Sequence, residues 1–307
     1  MSKIKNKIYY LLRLVYSELL LIIYYQYLLF KAYTNFSQLI SPQGFSIVTL
    51  TSYPARFSSL FISLDQLSRG KVKPVRIILF LSREENLAFA GSYPYKIKAL
   101  IRRGLEIILL EENYRVFNKL PVFLKQDIFA AINLITPFDI NPVITIDDDK
   151  IPPLFMLEFF QYAFAKEKNI TMSFVVQDMI FSQTIEGVVV SLIKSKNSQT
   201  KLLGLTNGIG GTLYPMIALH SIRKHGLDFL KHSPTNDDIW FRFCNISDGI
   251  SCRQLLEESI RFRQVPFSHH LGIWKFNFSR DEDGIVINDK YLISCYKHFG
   301  ISKMYGD

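Results

Sequence analysis

The sequence predicts an α/β protein with a mostly parallel sheet that is covered by helices on both faces. The chain has 307 residues, of which 49% are hydrophobic, so it can bury a sizeable core. Short apolar segments such as VRIILFLS, residues 75–82, alternate with longer segments of helical periodicity. The short segments are almost continuously apolar, which is typical of strands buried on both faces.

The predicted elements follow one another from residue 45 to about residue 180. Strands are predicted at Ser46–Thr51, Val75–Ser82, Leu105–Leu110, Pro142–Ile146 and Thr171–Val176. Helices are predicted at Phe57–Leu67, Tyr95–Arg103, Val122–Leu134 and Pro153–Lys166. In sheets of this kind, ligands bind beyond the carboxyl ends of the strands. After residue 180 the alternation weakens, and we expect that half of the chain to pack on the same sheet and to supply loops.

Residues 1–40 differ from the rest of the chain. They carry five basic residues and one acid, Glu18, and their longest uncharged run is Leu19 to Phe30. A membrane-spanning helix needs about 20 predominantly apolar residues. We therefore expect a helix that lies in the membrane surface, with its basic residues toward anionic headgroups. A helix that packs on the main domain or in a dimer contact is comparably supported, and a type II membrane anchor is a third alternative.

The charge and the cysteines restrict the class of partner. A net charge of +9 suits partners that carry phosphate. The basic residues are scattered, and no dense basic run is interleaved with aromatic residues, so we expect no nucleic-acid partner. The three cysteines form no CxxC pair, which favours free thiols in a reducing compartment over a disulfide framework or a zinc site.

Three consecutive acids, Asp147, Asp148 and Asp149, follow the apolar segment VITI. Carboxylates this close repel one another unless a cation neutralises them. Oxygen ligands suit Mg²⁺ or Mn²⁺, which proteins usually bind through one or two carboxylates and the phosphates of a substrate. The triplet therefore predicts a site for a metal–diphosphate. The alternative is a cap for the helix at Pro153, but a cap would use Asp149 alone.

Four further segments accompany the triplet. They are TSYPARF at 51–57, FNKLPVFL at 117–124, LTNGIGGTLYP at 205–215 and SPTNDDIWFRF at 233–243. In this order, and with the triplet in its place, they resemble the GT-A-fold glycosyltransferases. The likeness is strongest to the bacterial enzymes that build capsule, O-antigen or other surface glycans. It covers about residues 45–245 and leaves residues 1–40 outside.

The resemblance implies a GT-A catalytic domain at 41–307, with a donor half at about 45–180 and an acceptor half at 181–307. Such an enzyme moves a sugar from a nucleotide-sugar, with a UDP-sugar favoured, to a glycan or lipid-linked acceptor in polysaccharide synthesis. It uses Mn²⁺ or Mg²⁺. We expect it in the cytoplasm, peripheral on the inner face of the cell membrane.

The resemblance also assigns roles to single residues. The donor nucleotide would meet Thr51, Ser52, Tyr53, Arg56, Lys119, Asp147 and Asp148. Tyr53 offers a ring to stack on a base, and Arg56 offers a fork for phosphate oxygens. The metal would be held by Asp149 and Asp147, with His270 as a minor candidate. The donor or acceptor sugar would meet Gly210, Gly211 and Trp240.

The helix start at Asp237 and Asp238 supplies the predicted catalytic residues. A carboxylate near the diphosphate suits a general base that deprotonates an acceptor hydroxyl. Asp238 is the first choice and Asp237 the second, and either also suits a helix N-cap.

Two other function classes remain open. One is a sugar nucleotidyltransferase, although TSYPARF is a poor match to the glycine- and arginine-rich loop expected there. The other is a non-catalytic, membrane-associated binding protein.

Overall fold

The computed structural model describes residues 2–89, 92–124, 141–184 and 187–301. The described strands are β1 (Ile47–Thr51), β2 (Arg76–Ser82), β3 (Leu105–Leu110), β4 (Val143–Thr145), β5 (Lys150–Ile151), β6 (Thr171–Ser173), β7 (Val176–Thr184), β8 (Gly187–Lys194), β9 (Thr200–Lys201), β10 (Gly204–Thr206), β11 (Thr212–Tyr214), β12 (Cys252–Gln254) and β13 (Arg263–Gln264).

The described helices are α1 (Ser2–Tyr33), α2 (Phe57–Ser68), α3 (Arg83–Leu87), α4 (Tyr95–Arg102), α5 (Met156–Lys166), α6 (Met216–Lys224), α7 (Phe229–His232), α8 (Asp237–Ser247), α9 (Trp274–Asn277) and α10 (Ile287–His298). Short 3₁₀ turns occur at Pro54–Arg56, Arg115–Lys119, Pro121–Phe123 and His269–Leu271.

Eight strands form the central sheet, in the order β3-β2-β1-β4-β11-β6-β12-β9. The pairs β3–β2, β2–β1, β1–β4 and β6–β12 are parallel. The pairs β4–β11, β11–β6 and β12–β9 are antiparallel. The protein is therefore an α/β protein with a mixed, mostly parallel sheet, as the alternation predicts. Strands β10, β7 and β8 form a second sheet, and β13 pairs with β5.

Both faces of the central sheet are buried, which explains the continuous apolar runs. In β2, Ile77, Leu79 and Leu81 belong to one hydrophobic cluster, together with residues of α2, α4 and α5. Ile78 and Phe80 belong to a second cluster, together with residues of α6 and α8. Successive side chains of a strand point to opposite faces. A strand with a core on each face must therefore be apolar at every position.

The structure departs from the predicted elements at two places. The strand predicted at Thr171–Val176 divides, because the Val175 amide donates a 3.3 Å hydrogen bond back to the Ser173 hydroxyl and the chain turns there. The residues before the turn join the central sheet, and those after it join the second sheet. Where the helix Val122–Leu134 is predicted to begin, the structure has the 3₁₀ turn Pro121–Phe123. The predicted helix from residue 125 on lies outside the described residues.

Among the side chains of α1 that the structure describes, the buried ones lie toward its carboxyl end. Leu28 and Ala32 are buried there, and the ring of Tyr25 meets the ring of Phe267 edge-on at 5.5 Å. Farther toward the amino terminus, the apolar side chains Leu19–Ile23 are all exposed. Within the described residues, no helix combines the length and the apolar character needed to cross a membrane.

Candidate active site

A cavity of about 700 Å³ lies where β1 and β4 end. Such a volume is typical of sites for small molecules and cofactors. Of the predicted site residues, the cavity is lined by Arg56, Lys119, Asp147, Asp149, Asp237 and Asp238. The segments after β1 and β4 and the start of α8 thus converge on one space, although more than 180 positions separate them in the chain.

Asp148 lies beneath the cavity rather than in its lining. Its carboxylate accepts a hydrogen bond from the Ser52 hydroxyl and forms a 2.8 Å ion pair with Arg56. Burial raises the pKa of Asp148 to about 7, and Arg56 and Ser52 oppose that rise. Asp148 thus uses one carboxylate oxygen for Ser52 and the other for Arg56, and neither Asp148 nor Ser52 lines the cavity, so the nucleotide contacts predicted for them stay predictions.

Asp149 is fixed by residues from two other segments. Its Oδ2 pairs with the guanidinium of Arg56 and accepts a 2.9 Å hydrogen bond from Gln264 Nε2. The Val265 amide donates to the Asp149 carbonyl at 2.8 Å, beside the β5–β13 pair. Arg56 therefore bridges two members of the acidic triplet and relieves part of their repulsion.

The donor atoms at the triplet fit a divalent cation. Asp147 and Asp149 both line the cavity. Lys150 lies 3.8 Å from Asp149 Oδ1 and Lys119 lies 3.7 Å from Asp147 Oδ1, both beyond hydrogen-bond distance. Two carboxylate oxygens thus remain available to a hard cation. The described residues hold no group of three or more His, Cys, Asp or Glu side chains suited to a metal, so water or phosphate oxygens would complete the shell.

Lys119 is buried among three carboxylates. Its Nζ lies 2.7 Å from Asp237 Oδ2, 3.7 Å from Asp147 Oδ1 and 3.9 Å from Asp238 Oδ1. Burial alone favours the neutral amine, but the carboxylates, Asp237 first, raise the pKa of Lys119 well above its usual value. Lys119 is therefore a permanent positive charge that joins the strand-end triplet to the start of α8.

Asp238 presents the freer carboxylate of the α8 pair. Its Oδ2 accepts a 2.8 Å hydrogen bond from the Gly208 amide. Its Oδ1 has no hydrogen-bond partner within the described structure. Burial raises the pKa of Asp238 to about 7 against the opposing charge of Lys119. The N-cap of α8 is Asn236, whose side chain accepts from the Ile239 amide at 3.1 Å, so neither acid is needed as a cap.

All three glycines of the GIGG segment lie close to other protein atoms, and none of them lines the cavity. Gly210 and Gly211 have φ of 102° and 91°. A Cβ would lie 2.2 Å from the Phe262 ring at Gly210 and 2.9 Å from the Thr145 carbonyl oxygen at Gly211. Neither residue lines the cavity, so the sugar contact predicted for them stays a prediction without support from this geometry. At Gly208, a Cβ would lie 2.9 Å from Asp238 Oδ1 and 3.1 Å from Lys119 Nζ.

The remaining residues of the predicted nucleoside pocket also lie outside the cavity lining. The Thr51 hydroxyl donates to the Phe80 carbonyl at 3.0 Å. Tyr53 is half-buried, and the Arg56 guanidinium lies 6.0 Å from the centre of its ring. Thr51 therefore stabilises the strand pair β1–β2, and Tyr53 flanks Arg56.

Trp240 and His270 do not lie where the sequence predicts them. Trp240 is 0% exposed and packs against His232 and Phe299, so it offers no face to a sugar. The sugar contact predicted for Trp240 therefore has no support from its position. His270 is exposed and outside the cavity lining, whereas its neighbour His269 lines the cavity.

Several residues that line the cavity lie outside the sequence segments that predict a site. They come from the second sheet and from the carboxyl-terminal segments, and they include Gln177, Gln264, His269, Trp274, Asn288 and Asp289. Gln264 reaches Asp149 from 115 positions away because β13 pairs with β5. No sequence spacing encodes such a contact. Only Trp274 and the histidine pair are conspicuous as single residues.

Comparison with protein-family models finds no matching family, and comparison with curated proteins finds no match. The function is therefore inferred from the residues that line the cavity.

Proposed function

We propose that the protein is a metal-dependent glycosyltransferase of the GT-A type. It would move a sugar from a nucleotide-sugar, with a UDP-sugar as the first choice, to a hydroxyl of a glycan or lipid-linked acceptor. One observation carries the proposal: a single cavity joins the strand-end acids Asp147 and Asp149 to the α8 acids through the buried charge of Lys119.

The donor would bind through the charged side chains that line the cavity near the ends of β1 and β4. Asp147 and Asp149 would hold Mn²⁺ or Mg²⁺, which when bound supplies positive charge to the diphosphate leaving group. Arg56 and Lys119 place two fixed positive charges on the same wall. Charges that are held in place before the reaction stabilise a developing anion better than solvent does, because they need no reorganisation.

Transfer of the sugar needs a base for the acceptor hydroxyl, and Asp238 is the residue best placed. The acceptor oxygen bonds to the anomeric carbon, the bond from that carbon to the diphosphate oxygen breaks, and the hydroxyl proton passes to Asp238. Asp237 is less suited, since its Oδ2 is held by Lys119 at 2.7 Å. The Asp238 side chain is more exposed than that of Asp237, 21% against 8%, and lies farther from Lys119, so it is the better proton acceptor near neutral pH.

The exposed apolar residues of α1 support a place on a membrane surface. Leu19–Ile23 are exposed in succession, and Arg13 is exposed one and a half turns before them. A helix of this composition gains free energy by burying its apolar side chains among lipid headgroups. Peripheral attachment to the inner face of the cell membrane is therefore part of the proposal.

Donor binding tests the proposed function directly. The melting temperature of the full chain would be measured with Mn²⁺ and a panel of UDP-, GDP-, CMP- and TDP-sugars, and hydrolysis of each donor would be followed in parallel. We expect one nucleotide class to stabilise the protein only when Mn²⁺ is present. The Asp149→Asn variant should lose that stabilisation, and Asp248→Asn, at the far end of α8, should keep it. Absence of stabilisation and of turnover with every donor would refute the proposal.

A further inference from the structure

Trp274 forms an aromatic platform in the cavity lining that has no role in the sugar transfer proposed above. Trp274 lines the cavity and is 40% exposed. Its indole Nε1 donates to the His269 carbonyl at 3.3 Å, and the two rings lie 4.4 Å apart. Gly272 makes room for the indole, because a Cβ there would lie 2.7 Å from Trp274 Cδ1. The ring is thus held in place with one side toward the cavity.

Polar groups of α10 line the same cavity. Asp289 lines the cavity, and burial raises the pKa of its carboxyl group against the opposing charge of Arg280. Asn288 accepts a 2.9 Å hydrogen bond from Asn236 through its Oδ1, which leaves its amide hydrogens available. A carboxylate accepts hydrogen bonds from hydroxyls and an amide NH₂ donates them. An apolar ring with such groups nearby matches a ligand that has one apolar face and an edge of hydroxyls.

This wall is connected by hydrogen bonds to the segment that precedes Asp238. The Thr235 hydroxyl donates to Asn277 Oδ1 at 2.6 Å, and Asn277 Nδ2 donates to the Thr235 carbonyl at 3.0 Å. Asn236 caps α8 and bonds Asn288. Helices α9 and α10 also pack on each other. A ligand on the platform is therefore placed by the same scaffold that places the candidate base.

We propose that Trp274 and His269, with Asp289 and Asn288, form the binding subsite for a saccharide acceptor. The C–H face of a sugar ring would lie on the indole, and its hydroxyls would bond Asp289 and Asn288. The inference rests on the proposed sugar transfer and narrows the acceptor to a carbohydrate ring. A lipid-linked acceptor would therefore present its sugar, not its lipid phosphate, to this wall.

Quenching of tryptophan fluorescence by iodide tests the subsite without any enzymatic activity. The chain has two tryptophans, and Trp240 is fully buried, so the quenchable emission comes from Trp274. The probes are methyl α- and β-glycosides of glucose, galactose, mannose and N-acetylglucosamine, and their β-linked disaccharides. We expect at least one probe to lower the quenching constant two-fold or more. The Trp274→Phe variant identifies the reporter, since it should lose the quenchable emission.

Two matched variants extend the test to binding of the acceptor. Phe276 lies on the same short helix, is 51% exposed and does not line the cavity, so Phe276→Ala is the control for Trp274→Ala. With the protecting glycoside as acceptor, we expect Trp274→Ala to raise its KM ten-fold or more. Both variants should keep the melting-temperature shift produced by the donor and Mn²⁺, and Phe276→Ala should keep the wild-type KM.

Three outcomes would overturn the inference. Protection by no glycoside would do so, as would protection by a nucleotide-sugar alone, which would assign the platform to the donor. Equal effects of the two alanine variants on KM would show that Trp274 has no special role. Failure of the proposed function is seen separately, as the absence of any donor-dependent shift in the wild-type protein.

Discussion

Asp238 illustrates how a single side chain acquires a role from its surroundings. One carboxylate oxygen is held by the Gly208 amide, and the other has no hydrogen-bond partner in the described structure. The nearest cation, Lys119, is 3.9 Å away and is shared with two other acids. The carboxylate is therefore oriented without being neutralised, which suits a general base.

Replacement of Asp238 by asparagine should lower kcat about 10²- to 10⁴-fold, the usual contribution of a general base. The amide keeps the shape and the hydrogen bond from Gly208 but accepts no proton. Donor binding, measured by the melting-temperature shift, should remain within about two-fold of wild type. The matched control is Asp248→Asn, because Asp248 pairs with Lys224 at the other end of α8. A kcat within a few-fold of wild type in Asp238→Asn would exclude this residue as the base.

The pH profile should show the titration of the same group. Burial raises the pKa of Asp238 to about 7, and the base is active only when ionised. Because kcat/KM reports the ionisation of the donor-free enzyme, we expect kcat/KM for the donor to fall as the pH decreases through about 7 and to level off above about pH 8. Initial rates from pH 5.5 to 9 at donor concentrations below KM test this. A profile that is flat between pH 5.5 and 8 would contradict the assignment.

Lys119 should matter for stability, and the effect should depend on pH. Lys119→Gln leaves Asp237 and Asp238 without their cation, and loss of one partner of a buried pair typically costs about 3–5 kcal/mol. The two acids already have raised pKa values, so the folded state takes up protons more readily than the unfolded state as the pH falls. The loss should therefore be smaller at pH 5.5 than at pH 8.

Urea unfolding of wild type and Lys119→Gln at both pH values measures this difference. Lys224→Gln removes an exposed ion pair with Asp248 and should cost less than about 1 kcal/mol at either pH. Equal losses for Lys119→Gln at pH 5.5 and pH 8 would show that the carboxylates do not control its effect.

At the scale of elements, the turn between β10 and β11 contains two glycines with different expected roles. Gly208 lies beside the candidate base, and Gly210 lies against a core ring. A Cβ on Gly208 would displace only the ends of two side chains, Asp238 and Lys119. A Cβ on Gly210 would meet the Phe262 ring at 2.2 Å, with φ at 102°. We expect Gly208→Ala to lower kcat about ten-fold with less than about 1 kcal/mol lost in stability. Gly210→Ala should lose about 2 kcal/mol or more.

Thermal unfolding and steady-state kinetics of the two variants provide the comparison. Two results would contradict this expectation: Gly208→Ala is as destabilised as Gly210→Ala, or it keeps the wild-type kcat. Either result would show that the position of Asp238 does not depend on the lack of a side chain at residue 208.

The elements that could be predicted are those whose residues face two cores. Strands β1, β2 and β3 were recognisable because contact with a core on each face makes most of their residues apolar. Strand β11 has only three residues, TLY, and enters the sheet antiparallel between β4 and β6. Three residues carry no measurable period, so its place depends on tertiary contacts.

The same distinction applies to the cavity. Asp147 and Asp149 could be predicted to line a ligand site because local sequence put them at a strand end. The internal role of Asp148 could not, since it depends on Ser52 and Arg56 from another strand end. The sequence did not distinguish the buried Trp240 from the cavity-lining Trp274, because residue identity alone does not tell a core ring from a cavity ring. Trp274 is brought to the cavity by packing of α9 on α10.

At the scale of the whole molecule, α1 should determine attachment to lipid. Leu19 and Ile23 lie one helical turn apart and are 52% and 63% exposed. Fully burying such a side chain is worth about 1.5–3 kcal/mol, so replacing both with glutamine should reduce vesicle binding at least ten-fold. Leu87→Gln is the control, because Leu87 is exposed on another part of the protein.

Sedimentation with phosphatidylglycerol–phosphatidylcholine vesicles measures the bound fraction, and size-exclusion chromatography measures the oligomeric state. Unchanged sedimentation together with a loss of dimer in the double variant would instead assign the exposed residues of α1 to a contact between copies.

Phe267 connects this attachment to the cavity. Its φ of 66° is rarely adopted by a bulky residue and costs on the order of 1–3 kcal/mol. Its ring rests on Tyr25 of α1, while Gln264 and His269, on either side in the chain, line the cavity. Helix α1 thus contacts the loop whose Gln264 and Val265 bond Asp149. We expect removal of α1 to leave the central sheet folded and to loosen the hold of this loop on Asp149.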